Sequence, residues 1–167
     1  GGSDRSDRKY RTEAWDWIMS GGAVYDHLDL SFTTDRPGGS APLPSGTPGG
    51  GGPQLRRQLK ILKNFIETFD FIRMTPADDL ITNVNFITRV VEVDPVSVRG
   101  LAEQGRAYAL YIKGGSQATF TLELPAGNYK AEWLNPKTGK IEKSELLRHP
   151  GGKQQLSSPA YSEDIAL

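Results

Sequence analysis

"AVYDHLDLSF", residues 23–32, is the stretch on which the reading of the fold turns. Val24, Leu28, Leu30 and Phe32 fall on one side of a period-two pattern, and Tyr25, His27, Asp29 and Ser31 fall on the other. That alternation predicts a strand. Asp26 interrupts the apolar side, and a carboxylate there needs a partner or a function. Upstream, "RKYRTEAWDWIMSGG" predicts a helix over 8–20, with Ala14, Trp17 and Ile18 on one face and Gly21-Gly22 as its stop. Downstream lies a Gly/Pro-rich loop, "SFTTDRPGGSAPLPSGTPGGGG", over 31–52. Pro53 then suits the first turn of a helix. Leu55, Leu59, Leu62, Ile66 and Phe69, widened by Ile61 and Phe65, give it an apolar stripe over 53–71.

From about residue 84 the pattern becomes all-β. "VSVRGLA" and "RAYALYI" flank the turn "EQG", as in a hairpin. "ATFTLEL" turns Phe120, Leu122 and Leu124 inward, and "NYKAEW" places Tyr129, Ala131 and Trp133 on one face. "NPKTG", 135–139, is a turn by its proline and glycine. Short strands at this spacing predict an antiparallel β-sandwich. One strand between two apolar-faced helices cannot bury both faces alone. The first segment therefore reads as the end of a larger parallel α/β structure.

Composition narrows the function classes. Lys+Arg and Asp+Glu are 20 each among 167 residues, so no general attraction to nucleic acid or anionic lipid is expected. There is no cysteine, which excludes disulfides and thiolate chemistry, and two histidines do not suggest a metal centre. No stretch is apolar enough to span a bilayer as a helix. Neither a metal nor a cofactor is expected. The chain begins Gly1-Gly2-Ser3, which fits a processed chain or a piece of a longer one.

The ordered motifs "RTEAWDWIMSGGAVYDHLDLSF", "FDFIRMTP", "AEWLNPKTG" and "EDIAL" resemble the C-terminal part of bacterial glycoside-hydrolase-like proteins. Those have a (β/α)8 barrel followed by a β-sandwich of the collagen-binding-domain type. The resemblance implies an α+β chain in two parts. Residues 1–80 would hold the last strand, rim loop and last helix of the barrel, and 84–167 the antiparallel β-sandwich. It also implies a carbohydrate partner, a bacterial, extracytoplasmic or secreted setting, and either self-association or binding to the missing barrel portion. The catalytic carboxylates of such barrels sit on earlier strands, so no catalytic residue is assigned here.

Tyr25, His27 and Asp29 share a face and are candidates for substrate contact at the rim, with Asp26 and Asp35 beside them. Against this, His27 reads rather as a satisfied structural histidine. Asp26 and Asp29 would point to opposite faces of a strand, which does not suit the paired carboxyls of glycoside hydrolysis. The glycines do not make a phosphate loop, because no Lys-Ser/Thr follows them and Pro53 removes a donor. Tyr108, Tyr111, Tyr129 and Trp133 read as an aromatic sugar platform or, by their alternation, as core. Arg56, Arg57, Lys60 and Lys63 read as a solvated helix face. The other reading of the whole is a stand-alone, non-catalytic module that binds carbohydrate or a protein matrix.

Overall fold

The computed structural model describes residues 3–43, 50–88 and 95–167. Residues 44–49 of the Gly/Pro loop lie outside that description. Among the described residues two α-helices, α1 (Ser3–Met19) and α2 (Pro53–Ile66), pack on a sandwich of nine strands. These are β1 (Thr75–Pro76), β2 (Ile81–Ile87), β3 (Ser97–Glu103), β4 (Ala107–Lys113), β5 (Gln117–Leu124), β6 (Gly127–Leu134), β7 (Ile141–His149), β8 (Gly152–Ser157) and β9 (Asp164–Ala166). All pairings between these strands are antiparallel. One sheet has the order β1-β3-β4-β9-β6-β7 and the other β2-β5-β8.

The turns form where their chemistry requires. Glu103 pairs with Ala107 across the predicted hairpin, and Gly105 takes a φ of 78° there. Asn135 Oδ1 accepts hydrogen bonds from the N–H groups of Lys137 and Thr138, and Gly139 N–H closes the turn on Asn135 O at 2.8 Å. The helix predicted over 53–71 stops at Ile66. Thr68 and Phe69 N–H bond to Phe65 and Ile66 carbonyls in the tighter i→i+3 manner, which closes the last turn.

The layers explain the sequence pattern of β4. Leu110 and Ile112 point into the sandwich, where they meet Phe120, Leu122, Leu124 and Leu156 of the second sheet, with Trp133 and Ile165. Ala109 and Tyr111 point the other way, onto Trp15, Met19, Leu62, Phe65 and Ile66 of the helices. Tyr111 stacks on Trp15 at 5.2 Å between ring centroids. A strand covered on both faces reads as a nearly unbroken apolar run, which "AYALYI" is. The apolar stripes of both helices are thus buried against β3, β4 and β9, and need no further strands to cover them.

Two expectations are corrected. Residues 23–32 form no strand; their only ladder feature is an isolated bridge from Asp29 to Gly50. A strand needs a hydrogen-bonding neighbour along its length, and no described residue supplies one. The buried face of α1 is also different: Ala14, Trp15 and Met19 are buried, whereas Trp17 is exposed and donates its ring N–H to Val24 O at 2.7 Å. Two tryptophans two positions apart on a helix lie about 200° around it, so only one can meet the sheet.

The helical layer is locked by a buried polar contact. Arg11, fully buried, donates through Nε and Nη2 to Asp164 at 3.1 and 3.2 Å, through Nη1 to Gln58 Oε1 at 3.1 Å, and through Nη2 to Glu163. Tyr111 Oη donates to the same Asp164 carboxylate at 2.9 Å. Burial opposes the Arg11 charge, but Asp164 and Glu163 outweigh it and hold the guanidinium charged, above its ordinary range. Arg11→Ala would strand a buried carboxylate and is expected to cost about 3–5 kcal/mol in urea denaturation. The pair Arg11→Met with Asp164→Leu should regain most of that loss, but not all, because the Tyr111 hydroxyl then lacks its acceptor.

Candidate functional site

The five residues singled out in the sequence fall into three places. Tyr25 and His27 come together, joined by Tyr10 of α1. The His27 ring lies 6.0 Å from Tyr25, nearly parallel to it, and 5.3 Å from Tyr10. Tyr25 Oη donates to Glu13 Oε2 at 3.3 Å. Burial, and after it the Glu13 carboxylate, pushes the Tyr25 hydroxyl up, so it stays a donor. His27 Nε2 is buried without a hydrogen-bond partner. Tyr10, Tyr25 and His27 thus form a half-buried aromatic stack.

Asp29 belongs to a second, separate knot. Its Oδ1 accepts from Ser31 N–H at 2.9 Å and Ser31 Oγ at 2.6 Å, and its Oδ2 from Arg56 Nη1 at 2.7 Å. Arg56 also donates to Ser31 Oγ at 3.0 Å and to the carbonyls of Gly38 and Gly39 at 3.3 and 2.7 Å. Its guanidinium lies 4.8 Å over the Phe32 ring. Burial works to raise the Asp29 carboxyl, but the Ser31 hydroxyl and N–H and the Arg56 guanidinium outweigh it and hold it below the usual range. A carboxyl so held has no proton to give near neutral pH and its lone pairs are occupied, which suits a brace better than an acid catalyst. Asp26 and Asp35 are exposed, the latter in the turn joining Thr33 and Arg36.

Arg56, read as part of a solvated stripe, is therefore the residue that ties the start of the Gly/Pro loop to α2, while Arg57, Lys60 and Lys63 do face solvent. Its partner lies 27 positions earlier, and no sequence spacing signals such a pair. Of the four aromatics weighed as a platform, Tyr111 and Trp133 are core. Tyr108 and Tyr129 are half-buried beside a cleft, 6.1 Å apart and at 68° to each other. Gly105 N–H donates to Tyr108 Oη, and Tyr129 Oη donates to Pro125 O, both at 2.9 Å. Among the described residues no group of three or more His, Cys, Asp or Glu could hold a metal ion, and no helix is long and apolar enough to cross a membrane.

Arg56→Lys is expected to leave the fold intact but loosen 31–41, because an ammonium cannot span carboxylate, hydroxyl and two carbonyls at once. Hydrogen exchange at Ala41 N–H, bonded to Ser31 O at 2.9 Å, should speed up about tenfold. The same loosening should follow acidification. Because the Asp29 carboxyl is depressed in the folded chain, its contribution is complete above the ordinary carboxylate range and is lost as pH falls through the folded-state value. Comparison of the chain with protein-family models, with curated proteins and with solved structures gives no match.

Proposed function

We propose that this chain is the C-terminal portion of a bacterial glycoside-hydrolase-like protein, in which 23–32 helps to close a carbohydrate-cleaving barrel and docks the sandwich, with the two helices packed on it, as an accessory module. The observation that carries this reading is the apolar row Val24, Leu28 and Phe32, exposed at 74, 60 and 51 %, with Trp17 beside it at 54 %. These residues recur four apart on a segment with almost no backbone pairing. An open row of large apolar side chains on unpaired backbone marks a surface that another body covers. Paired with a neighbouring strand from such a body, 23–32 would gain both a ladder and a cover. Tyr10, Tyr25 and His27 would then stand near the rim, and the catalytic carboxylates would come from the covering part.

The proposal predicts that the chain associates in solution, and that replacing Val24, Leu28 and Phe32 together by Ser abolishes association without moving the sandwich's urea midpoint. Light scattering after gel filtration reads the first effect and intrinsic fluorescence the second. A parent chain that remains monomeric at high micromolar concentration would count against the reading.

A second reading rests on Tyr108 and Tyr129, which border the cleft with partly open rings. In it the sandwich is a non-catalytic module that binds carbohydrate or a protein matrix. The two rings are far from coplanar, so one sugar face stacks on one ring. Glycan binding lost on Tyr129→Ala but unaffected by the Val24/Leu28/Phe32 replacement would favour this reading over the first.

A further inference from the structure

The six-stranded sheet has a slit in its middle. β9 separates β4 from β6 but spans only three residues. It pairs with Tyr111, Ile112 and Lys113 of β4 and with Leu134 of β6, and Leu167 adds a reciprocal pair of bonds with Leu110 at 2.7 and 2.9 Å. Past that point β4 continues to Ala107 and β6 to Gly127, with no strand between them among the described residues.

Alternation along each strand fixes which backbone groups face the slit. In β4, Leu110 and, just beyond the strand, Gly114 bond toward β9, so even-numbered residues face that side and Tyr108 presents its N–H and C=O to the slit. In β6, Leu134 pairs with Ala166 of β9, and Asn135 N–H bonds to Lys140 O just before β7; the register irregularity at Trp133/Leu134 leaves its extra residue, Glu142, on β7, so alternation along β6 turns Glu132, Lys130 and Asn128 to the slit as well. Because β9 holds β4 and β6 two inter-strand steps apart, about 10 Å, the space is one strand wide. It forms part of a cleft of about 530 Å³. Ile61, Phe65 and Phe69 line it on the helix side, and Leu122, Leu124 and Leu147 on the sandwich side.

We propose that this slit is an acceptor for one extended peptide strand of a partner polypeptide, laid in line with β9 and antiparallel to both β4 and β6. Its chemistry follows from the walls. Four residues offer donors and acceptors at strand spacing, which a small apolar molecule leaves unpaired and a peptide backbone matches in period. The sandwich-side face is apolar, whereas Asn64, Thr68, Lys130 and Glu132 also line the cleft beside Ile61, Phe65 and Phe69, so the strand carries apolar, β-branched or aromatic residues toward the sandwich and tolerates Thr or Ser on its other face. About five residues fill the length from Glu132 to Asn128. A second copy of this chain is a poor donor, because its strands buried on both faces, β4 and β9, are interior in its own sheet.

The test is fluorescence anisotropy of a labelled five-residue Val/Ile/Thr peptide with a lysine tail for solubility, titrated with the whole chain. Saturable binding is expected. It should weaken about tenfold when the central peptide amide is N-methylated, since that amide lies opposite Lys130 of β6. Lys130→Pro should weaken it similarly while leaving the β6–β7 pairing, because that N–H points into the slit. A chain with the same five residues joined after Leu167 fills its own slit and should no longer take up the peptide. Equal affinity for the N-methylated peptide, or undiminished uptake by the extended chain, would overturn the proposal, as would no binding at all. The Val24/Leu28/Phe32 replacement should leave this binding unchanged, so failure here is separable from failure of the association described above.

Discussion

The architecture depends on one buried charge. Arg11 stands on the first helix, Asp164 on the last strand, 153 positions apart, and the carboxylate also receives Tyr111 from the middle of the sheet. An ion pair taken out of water contributes little net energy, since desolvating both groups offsets most of their attraction. What it contributes is register. A helix held to a sheet by apolar contact alone can rotate or slide by a turn at small cost. With Arg11 buried, any such shift leaves a guanidinium or a carboxylate unpaired in the core, a penalty of several kcal/mol. Gln58 on α2 accepts a further bond from Nη1, so the same charge also sets the second helix.

That lock matters because β4 and β9 are covered on both faces. Trp15, Phe65 and Met19 supply one cover and the three-stranded sheet the other. Stripping the helices away would expose Ala109, Tyr111, Leu101 and Ala166 together. The helices are thus structural for the sandwich, whatever else their outer surfaces do. Their outer side differs in kind: beyond Trp17 and the Asp29–Arg56 brace, the chain exposes Val24 and Leu28 to solvent, with Phe32 half-open under the Arg56 guanidinium.

The sandwich was legible because its signals are local. Alternation of Phe120, Leu122 and Leu124, the Asn135–Gly139 turn and the hairpin around Gly105 all act within a few residues. Residues 23–32 misled for the same reason. Their alternation is as clean as that of a real strand, but strand formation is decided by a neighbour, and period alone carries no information about one. The α1 face was misread because Trp15 and Trp17 compete, and the sheet chooses between them. Of the site residues, Tyr25 and His27 do come together, but not through strand parity, since Asp29 of the same parity lies elsewhere; the contributions of Tyr10 and Arg56 are tertiary and leave no trace in spacing. Arg11 and Asp164 were invisible as a pair, since each alone reads as an ordinary surface charge.

The slit between β4 and β6 follows from the same lock. A sheet with a three-residue strand in its middle leaves the backbone groups of Tyr108, Glu132, Lys130 and Asn128, which are half-buried or exposed, without a strand partner among the described residues. Closure is blocked at one end: Asp164 is pinned by Arg11 and Tyr111, and Leu167 by Leu110, so β9 acts as a spacer that cannot withdraw. It is blocked from the sides by Phe65 and Phe69 on the helix layer and Leu122 and Leu124 on the other sheet, whose spacing is set by their own packing. The arrangement keeps four backbone sites aligned and one strand apart. A groove held open in this way has already met the ordering cost that a strand-accepting site otherwise incurs on binding.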